Sequence, residues 1–451
     1  MTMADQGDSM HSSPPGPRYF NPFTFVRSLS DPTDFMLAAR ERYGDTYKLP
    51  TVFGPLVVTG APEGVRAMFT ADADTFVPYQ PDASSFFLGD TSLLLVSGAR
   101  HRRDRKLLSP PFQGARMRAY GAVMAESARR AVAAWAKGVP FEMLDTTQHI
   151  SLDVILQAVF GLDHTSPRRQ AVREAVIQFV GSIRPLFIFL PWLRRDFFGW
   201  GSWARFRRAR DHLDSLLYAM MAERRCEPAE RDDILSLMMS ARYEDGGAMS
   251  DAELRDELMT LLFAGHETTA IALAWAFYWL HRDPDELGRV RAELDALGPS
   301  ADGEAIAALP YLDAVCQESL RIHPVAPEIP RVLVKPLQLL DWTLPAGTAV
   351  MASVIMVHNR EELYPEPTRF RPSRFLERKF TPFEHIAFGG GARRCIGAAF
   401  ALYEMKIVLA TILRSHRLRL VSSAKVSPAR RGLTMGPTGG IPMIYEGARG
   451  A

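Results

Sequence analysis

Apolar residues recur at helical spacing over most of this chain, and strand-like alternation is confined to a few short stretches. The pattern predicts helices from Asp31 to about Arg42, then over Pro62–Phe69, Ala122–Trp135 and Thr147–Phe160. Further helices are predicted over Asp251–His281, Asp283–Leu297, Pro310–His323 and Ala398–Arg414. Their ends carry local signals. Asp31-Pro32-Thr33-Asp34 places a capping Asp before a first-turn Pro, Ser250-x-x-Glu253 is a capping box, and Pro324 stops the helix before it. Thr46–Thr59 reads as a hairpin around Phe53-Gly54-Pro55, and Arg331–Lys335, Leu337–Trp342 and Ala349–Val354 read as strands. The predicted class is therefore mainly α with small β-sheets.

One predicted helix stands apart. From Asp251 it runs for about 31 residues, or roughly 46 Å, enough to cross a whole domain. Its middle, Ala264-Gly-His-Glu-Thr-Thr269, opposes helix propensity with a glycine and two threonines. Thr268 can bond the carbonyl of Ala264 one turn back and bend the helix there. Small Ala264 and Gly265 leave room for a diatomic ligand, and Glu267 sets an ionisable group beside it.

A second stretch, Phe388-Gly-Gly-Gly-Ala-Arg-Arg-Cys-Ile-Gly397, joins one cysteine to a glycine run just before an apolar helix. Glycines let backbone approach a flat ligand closely. A cysteine at a helix start lies in the positive end of the helix dipole, which favours the thiolate. Arg393 offers a planar fork of donors suited to a carboxylate. The combination suits a thiolate facing a large anionic cofactor. The bland alternative is a Gly-rich turn with a structural cysteine; a phosphate loop lacks its Gly-Lys-Ser/Thr.

Composition narrows the partners. The chain has 451 residues with a formal net charge of +2, which makes no case for nucleic acid. Cys226, Cys316 and Cys395 are odd in number and far apart, so they form neither a disulfide framework nor a zinc site. The longest apolar run, Ile271–Leu280, is too short to span a bilayer. Residues 1–18 are polar and proline-containing, unlike a signal peptide. These features lead to the expectation of a cytoplasmic protein with a flexible tail over residues 1–20, then one domain over 21–451.

Phe388, Gly391, Arg393, Cys395 and Gly397 reproduce the F-x-x-G-x-R-x-C-x-G signature of the cytochrome P-450 superfamily. Ala264–Thr269 matches its A-G-x-(D/E)-T-(T/S), and Glu318-Ser-Leu-Arg321 its E-x-x-R. Pro372-Ser-Arg-Phe375 resembles its P-E-R-F, with Ser373 in place of Glu. The resemblance covers about Asp31 to Ile444. It implies haem b ligated by the Cys395 thiolate, sandwiched by the long oxygen-binding helix and the cysteine loop. It implies that His101 and Arg105, one turn apart in the basic cluster Gly98–Lys106, bind the haem propionates with Arg393 and Arg331. Ala264, Gly265, Thr268, Phe388 and Gly397 would line the cofactor. Thr268 would serve the oxygen during cleavage, and Glu267 would help deliver protons. Glu318, Arg321 and Arg374 would form a buried network behind the haem.

By the same resemblance the reaction is hydroxylation or epoxidation of a hydrophobic small molecule, such as a fatty acid, terpenoid, steroid or polyketide. It would use O2 and two electrons from a separate ferredoxin or flavodoxin with its reductase, in a monomer. Arg102, Arg103, Lys106 and Arg394 would face an acidic donor. The Arg100–Tyr120 stretch and Gln148–Ile155 look like a soluble bacterial group known from cyanobacteria and myxobacteria, some of whose members act on long apolar chains. Ala73–Ser97 would be a flexible segment over the substrate pocket. The aromatic stretch Ile183–Trp203 would be a mobile lid, with its flanking arginines allowing a transient membrane contact. Val325–Ile329 and Gly436–Ile441 would touch substrate. Two other readings stay open on the same haem: a peroxide-driven or non-redox enzyme, and a non-catalytic sensor or carrier.

Overall fold

A computed structural model of the protein describes residues 13–112, 116–184, 187, 190–196, 199–226, 231–298 and 301–449. Those residues fall into two compact units, each assembled from three separated segments. Most of the expected tail, residues 1–12, lies outside the described residues, and the first helix begins at Pro22.

The first unit takes the chain up to Tyr79, then Pro327–Pro365 and Thr381–Arg394. Its centre is a five-stranded sheet in the order Thr46–Thr51, Gly54–Thr59, Ala349–Ser353, Glu328–Leu333, Phe76–Pro78. The first two strands form the predicted hairpin, with Thr46 opposite Thr59. Val57, Val65, Met68, Phe76, Val350 and Ile386 close one face of the sheet. Phe35 and Met36 cover Tyr47, Val58 and Met351 on the other. They come from the helix Pro32–Tyr43, whose first turn is capped by the Asp31 carboxylate accepting from the Asp34 N–H.

Two strands differ from the sequence reading. The strand expected at Arg331 starts at Glu328, because its pairing with Ala349–Ser353 begins there. The stretch expected as one strand over Leu337–Trp342 is a tight hairpin of Leu337–Leu339 and Trp342–Leu344. The chain reverses at Leu340-Asp341 with Leu340 at φ +53°. A leucine in the left-handed region carries no turn signature, so alternation alone ran through the reversal.

The second unit is helical. Its axis is the long helix Asp251–Arg282, opened by the expected capping box of Ser250 and Glu253. From Ala270 to Tyr278 every side chain is buried, which is why the apolar pattern there goes all round the helix. Helix Met143–Ala158 packs along it; helices Pro310–Ile322 and Ala398–Ser415 complete its surroundings. Two helices, Arg169–Ser182 and Ser202–Cys226, occur where the hydrophobic pattern predicts none. Ser202–Cys226 buries only a narrow stripe (Ala204, Phe206, Leu213, Leu217, Met220, Met221) among its arginines. Small sheets finish the unit: Pro140–Glu142, Pro442–Ala448 and His416–Leu420 in one, and the hairpin Pro428–Arg431/Thr434–Pro437 in the other.

The Glu/Arg motif is a buried ion network in this unit. Arg321 donates to both Glu318 oxygens, at 2.7 and 2.9 Å, and Arg374 Nε reaches Glu318 Oε1 at 3.1 Å. Glu318 and Arg321 are 0% exposed and Arg374 2%, so each charge depends on the others for solvation. Ser373 donates instead to Glu377 at the edge of the network. Among the described residues no helix is long and apolar enough to cross a membrane.

Candidate functional site

The oxygen motif lies at mid-length of the long helix, and the helix runs unbroken through it. Thr268 Oγ1 donates to the Ala264 carbonyl at 2.6 Å, the bond read from the sequence. Ala264 is exposed within a helix whose neighbouring turns are mostly buried. Gly265 does a different job. A Cβ there would stand 2.9 Å from Cδ1 of Ile155, so its small size serves the close approach of helix Met143–Ala158. The open space therefore belongs to Ala264.

Three side chains stitch these two helices together across the motif. Ser151 Oγ donates to the Gly265 carbonyl at 3.4 Å, and Thr147 Oγ1 to the Ala270 carbonyl at 2.9 Å. His266 Nε2 bonds the Gln148 carbonyl at 3.2 Å, which makes Nε2 the protonated nitrogen. Burial pushes the His266 pKa down to about 4, so the ring is neutral and structural.

Glu267 faces the hairpin near the C-terminus. Burial raises its pKa, while the Arg431 guanidinium, 3.6 Å away, and the Thr434 hydroxyl draw it back. A raised carboxyl beside a charged guanidinium is a group that can take and return a proton. Neither Arg431 nor Thr434 carries a motif; only the folded chain brings them to Glu267.

The cysteine loop divides between the units after Arg394. In the first unit, Arg331 and Arg393 line one pocket with Phe69, Phe76, Ile329 and Gly390. The glycine run is needed for this packing. A Cβ on Gly390 would lie 2.0 Å from the Phe69 ring, and Gly391, at φ +63°, would meet the Phe69 carbonyl oxygen at 2.4 Å. Arg331 donates to its neighbouring Pro330 carbonyl at 2.8 Å. Among the described residues it has no carboxylate within ion-pair reach, and burial pulls its pKa down to about 10. It stays charged at neutral pH and gains from an added anion. Phe388 is half-buried just before the glycines.

In the second unit, Cys395 is exposed and precedes helix Ala398–Ser415, whose N-cap is Gly397. Among the described residues no side-chain cap closes that helix, and its positive dipole end would favour a thiolate at Cys395 just before it. His101 and Arg105 stand one turn apart on helix Gly98–Leu108, His101 buried and Arg105 half-buried. Taken by itself, each unit carries groups of the kind haem would use: in the second an exposed thiol at a helix start, suited to iron, and in the first a buried arginine with no carboxylate within ion-pair reach among the described residues, suited to a propionate.

The outer cations of that basic helix are partly neutralised. Arg103 donates to Asp104 at 3.0 Å and stacks 4.0 Å over Tyr243, and Lys106 pairs with Glu244. The face expected to meet an acidic donor is weaker than the bare sequence implies.

The segment expected to be flexible is anchored at its end. Thr91 donates to Asp256 through both its N–H (3.0 Å) and its hydroxyl (2.7 Å), and Thr260 bonds Ser92 at 2.6 Å. Gly89, at φ +93°, is forced by this contact, since a Cβ would overlap the Asp256 carboxylate. Phe86 and Phe87 sit on the short helix Asp82–Leu88, inside an aromatic group. Phe87 meets Phe263, next to Ala264, at 4.9 Å, and Phe86 meets Trp203 and Phe206 at 5.6 and 5.1 Å. Arg194 lies 4.4 Å over Phe86 and donates to the carbonyls of Phe187, Asp82 and Ala83. Trp192 and Trp200 of the expected lid are exposed. Pro185, Phe189, Phe197 and Phe198 lie outside the described residues.

The family model for Cytochrome P450 matches residues 11–441. Among curated proteins, "Putative cytochrome P450 135B1" of Mycobacterium tuberculosis (strain H37Rv) is 36% identical over 454 residues, covering 98% of this chain and 93% of the relative. "Putative cytochrome P450 138" of Mycobacterium bovis is 34% identical over 436 residues, covering 96% of this chain and 95% of the relative. Among solved structures, "Retinoic acid bound cyanobacterial CYP120A1" matches with a TM-score of 0.83 and 25% identity, over 94% of this chain and 96% of that one.

Proposed function

The chain belongs to the cytochrome P450 family and is a haem-thiolate monooxygenase; on that premise we propose that Cys395 ligates the iron and that the substrate is a long apolar molecule. Haem, when bound, supplies the cleavage of dioxygen and the insertion of one oxygen atom, with electron density from the thiolate. His101, Arg105, Arg331 and Arg393 hold its propionates. Phe388 and Gly397 line it.

The observation that carries the oxygen-driven reading is the Thr268 bond to Ala264 beside half-buried Glu267. With its hydrogen committed to the Ala264 carbonyl, the Thr268 hydroxyl turns lone pairs outward and accepts a hydrogen bond. Glu267 then reloads protons, and Arg431 limits how far its pKa rises. Thr268→Ala should retain oxygen uptake but divert it to peroxide, with product falling by about 10²-fold. Product per oxygen equal to wild type would favour a peroxide-driven route.

A long apolar substrate is supported by the aromatic group around Phe87 and Phe263, and by the retinoic acid bound to the cyanobacterial relative. Electrons come from a separate ferredoxin or flavodoxin with its reductase, and the protein works as a cytoplasmic monomer. Titration of the ferric haem spin state with long-chain fatty acids, retinoic acid, steroids and macrolides tests the substrate class. Saturable high-spin shifts with the first two are expected. A response to macrolides alone would point to another class.

A further inference from the structure

The aromatic group around Phe86 and Phe87 is built from three elements. The short helix Asp82–Leu88 gives Phe86 and Phe87, helix Ser202–Cys226 gives Trp203 and Phe206, and the long helix gives Phe263. One side chain that none of the steps above uses is bonded to all three. Arg255 lies on the long helix about two turns before Phe263. Its Nε and Nη2 donate to the two carboxylate oxygens of Asp214, on helix Ser202–Cys226, at 2.8 and 3.0 Å. Its Nη1 donates to the carbonyl of Leu88, the neighbour of Phe87, at 3.3 Å and to Asp256 Oδ1 at 3.1 Å. The other Asp256 oxygen accepts from the N–H and the hydroxyl of Thr91 at 3.0 and 2.7 Å. Arg255 is 7% exposed and Asp256 8%, so the chain Asp214–Arg255–Asp256–Thr91 is closed to most solvent.

We propose that Arg255 is a positioning residue for substrate selectivity: it sets the spacing of the aromatic walls. Ring contacts tolerate a broad range of centroid distances and tilts, so they do not by themselves fix the elements that carry them. A guanidinium does. It is planar and holds its N–H groups in a rigid fork, so its bonds set direction as well as distance. The bonds from Arg255 end on the short helix, on helix Ser202–Cys226 and on the long helix itself. Arg210, from the same helix as Asp214, adds a bond to the Phe86 carbonyl at 3.3 Å. A buried ion network adds little stability over apolar packing of the same volume; its contribution here is one fixed geometry. With the walls held, the space beside Phe87 and Phe263 takes a slim chain and resists a wider one. Lysine at position 255 would keep the charge, but its single nitrogen cannot bond Asp214, Asp256 and Leu88 in these directions. This inference rests on the reading of the aromatic group as a wall of the substrate pocket.

The test measures spin-shift affinities of the ferric, haem-loaded protein for two long-chain fatty acids of equal carbon number, one straight and one methyl-branched. The thermal midpoint is recorded alongside. Arg255→Lys should move the ratio of the two affinities about tenfold toward the branched acid, the size of effect that one methylene carries in an apolar pocket. Asp214→Ala, which cuts only the tie to helix Ser202–Cys226, should move the ratio in the same direction by less. A wild-type ratio in Arg255→Lys, whatever the midpoint does, makes Arg255 a purely structural group and overturns the proposal. If Arg255→Lys fails to fold, Asp214→Ala decides alone, because it leaves Arg255 bonded to Asp256. Phe87→Ala run in parallel separates the two claims. A ratio that stays at wild type there too overturns the reading of the aromatic wall. A ratio that moves there, but not in the Arg255 and Asp214 variants, overturns only the role of Arg255.

Discussion

Cys395→Ala is expected to abolish the thiolate-type spectrum of the ferrous–carbon monoxide complex and to reduce product formation to background. The chain offers three cysteines, and their surroundings separate them. Cys316 is fully buried in helix Pro310–Ile322, where burial pushes its thiol pKa far up and holds it neutral. Cys226 is exposed, but it closes helix Ser202–Cys226 and lies outside any glycine-rich loop. Cys395 is exposed before an uncapped helix start, where the field favours the thiolate. Cys226→Ala and Cys316→Ala should therefore keep the spectrum. A Cys395→Ala protein that still shows it would move the ligand elsewhere.

Glu318→Ala should produce the largest loss of stability of any single substitution considered. The carboxylate accepts from Arg321 Nε and Nη2, from Arg374 Nε, and from the Arg371 N–H at 2.9 Å. Its removal leaves two guanidinium groups buried without their carboxylate. The backbone carbonyls of Glu366 and Arg369, at 3.4–3.5 Å, are weak substitutes for it. Breaking a buried ion network from one side typically costs about 3–5 kcal/mol, far more than an exposed helical Glu/Arg pair, at about 0.3–0.5 kcal/mol. Chemical denaturation followed by tryptophan fluorescence checks this. A loss below about 1 kcal/mol would mean that water reaches the arginines and the network is not a closed one.

Local physics made much of this legible in the sequence. The Asp31 cap, the Ser250/Glu253 box and the Thr268 bond to Ala264 each involve residues within four positions, and each is present. Glu318 and Arg321 are one turn apart and could be paired from spacing, whereas Arg374 entered only through family resemblance. What escaped is tertiary. Arg431 and Thr434 reach Glu267 from a hairpin distant in sequence. Gly89 is fixed by Asp256 and Gly390 by Phe69, contacts that no glycine announces. Helix Ser202–Cys226 was hidden because its apolar stripe is narrow and its surface is crowded with arginine. The hairpin at Leu340 was hidden because its turn uses a residue that normally avoids that conformation.

The most direct test of the account is turnover under isotopically labelled dioxygen. The loaded protein would be supplied with a reduced ferredoxin or flavodoxin and with whichever fatty acid or retinoid shifts its spin state. The account predicts one labelled oxygen atom in the organic product, the other in water, and dependence of both on Thr268. Product that carries no label from dioxygen, or that forms only when peroxide is added, would contradict it.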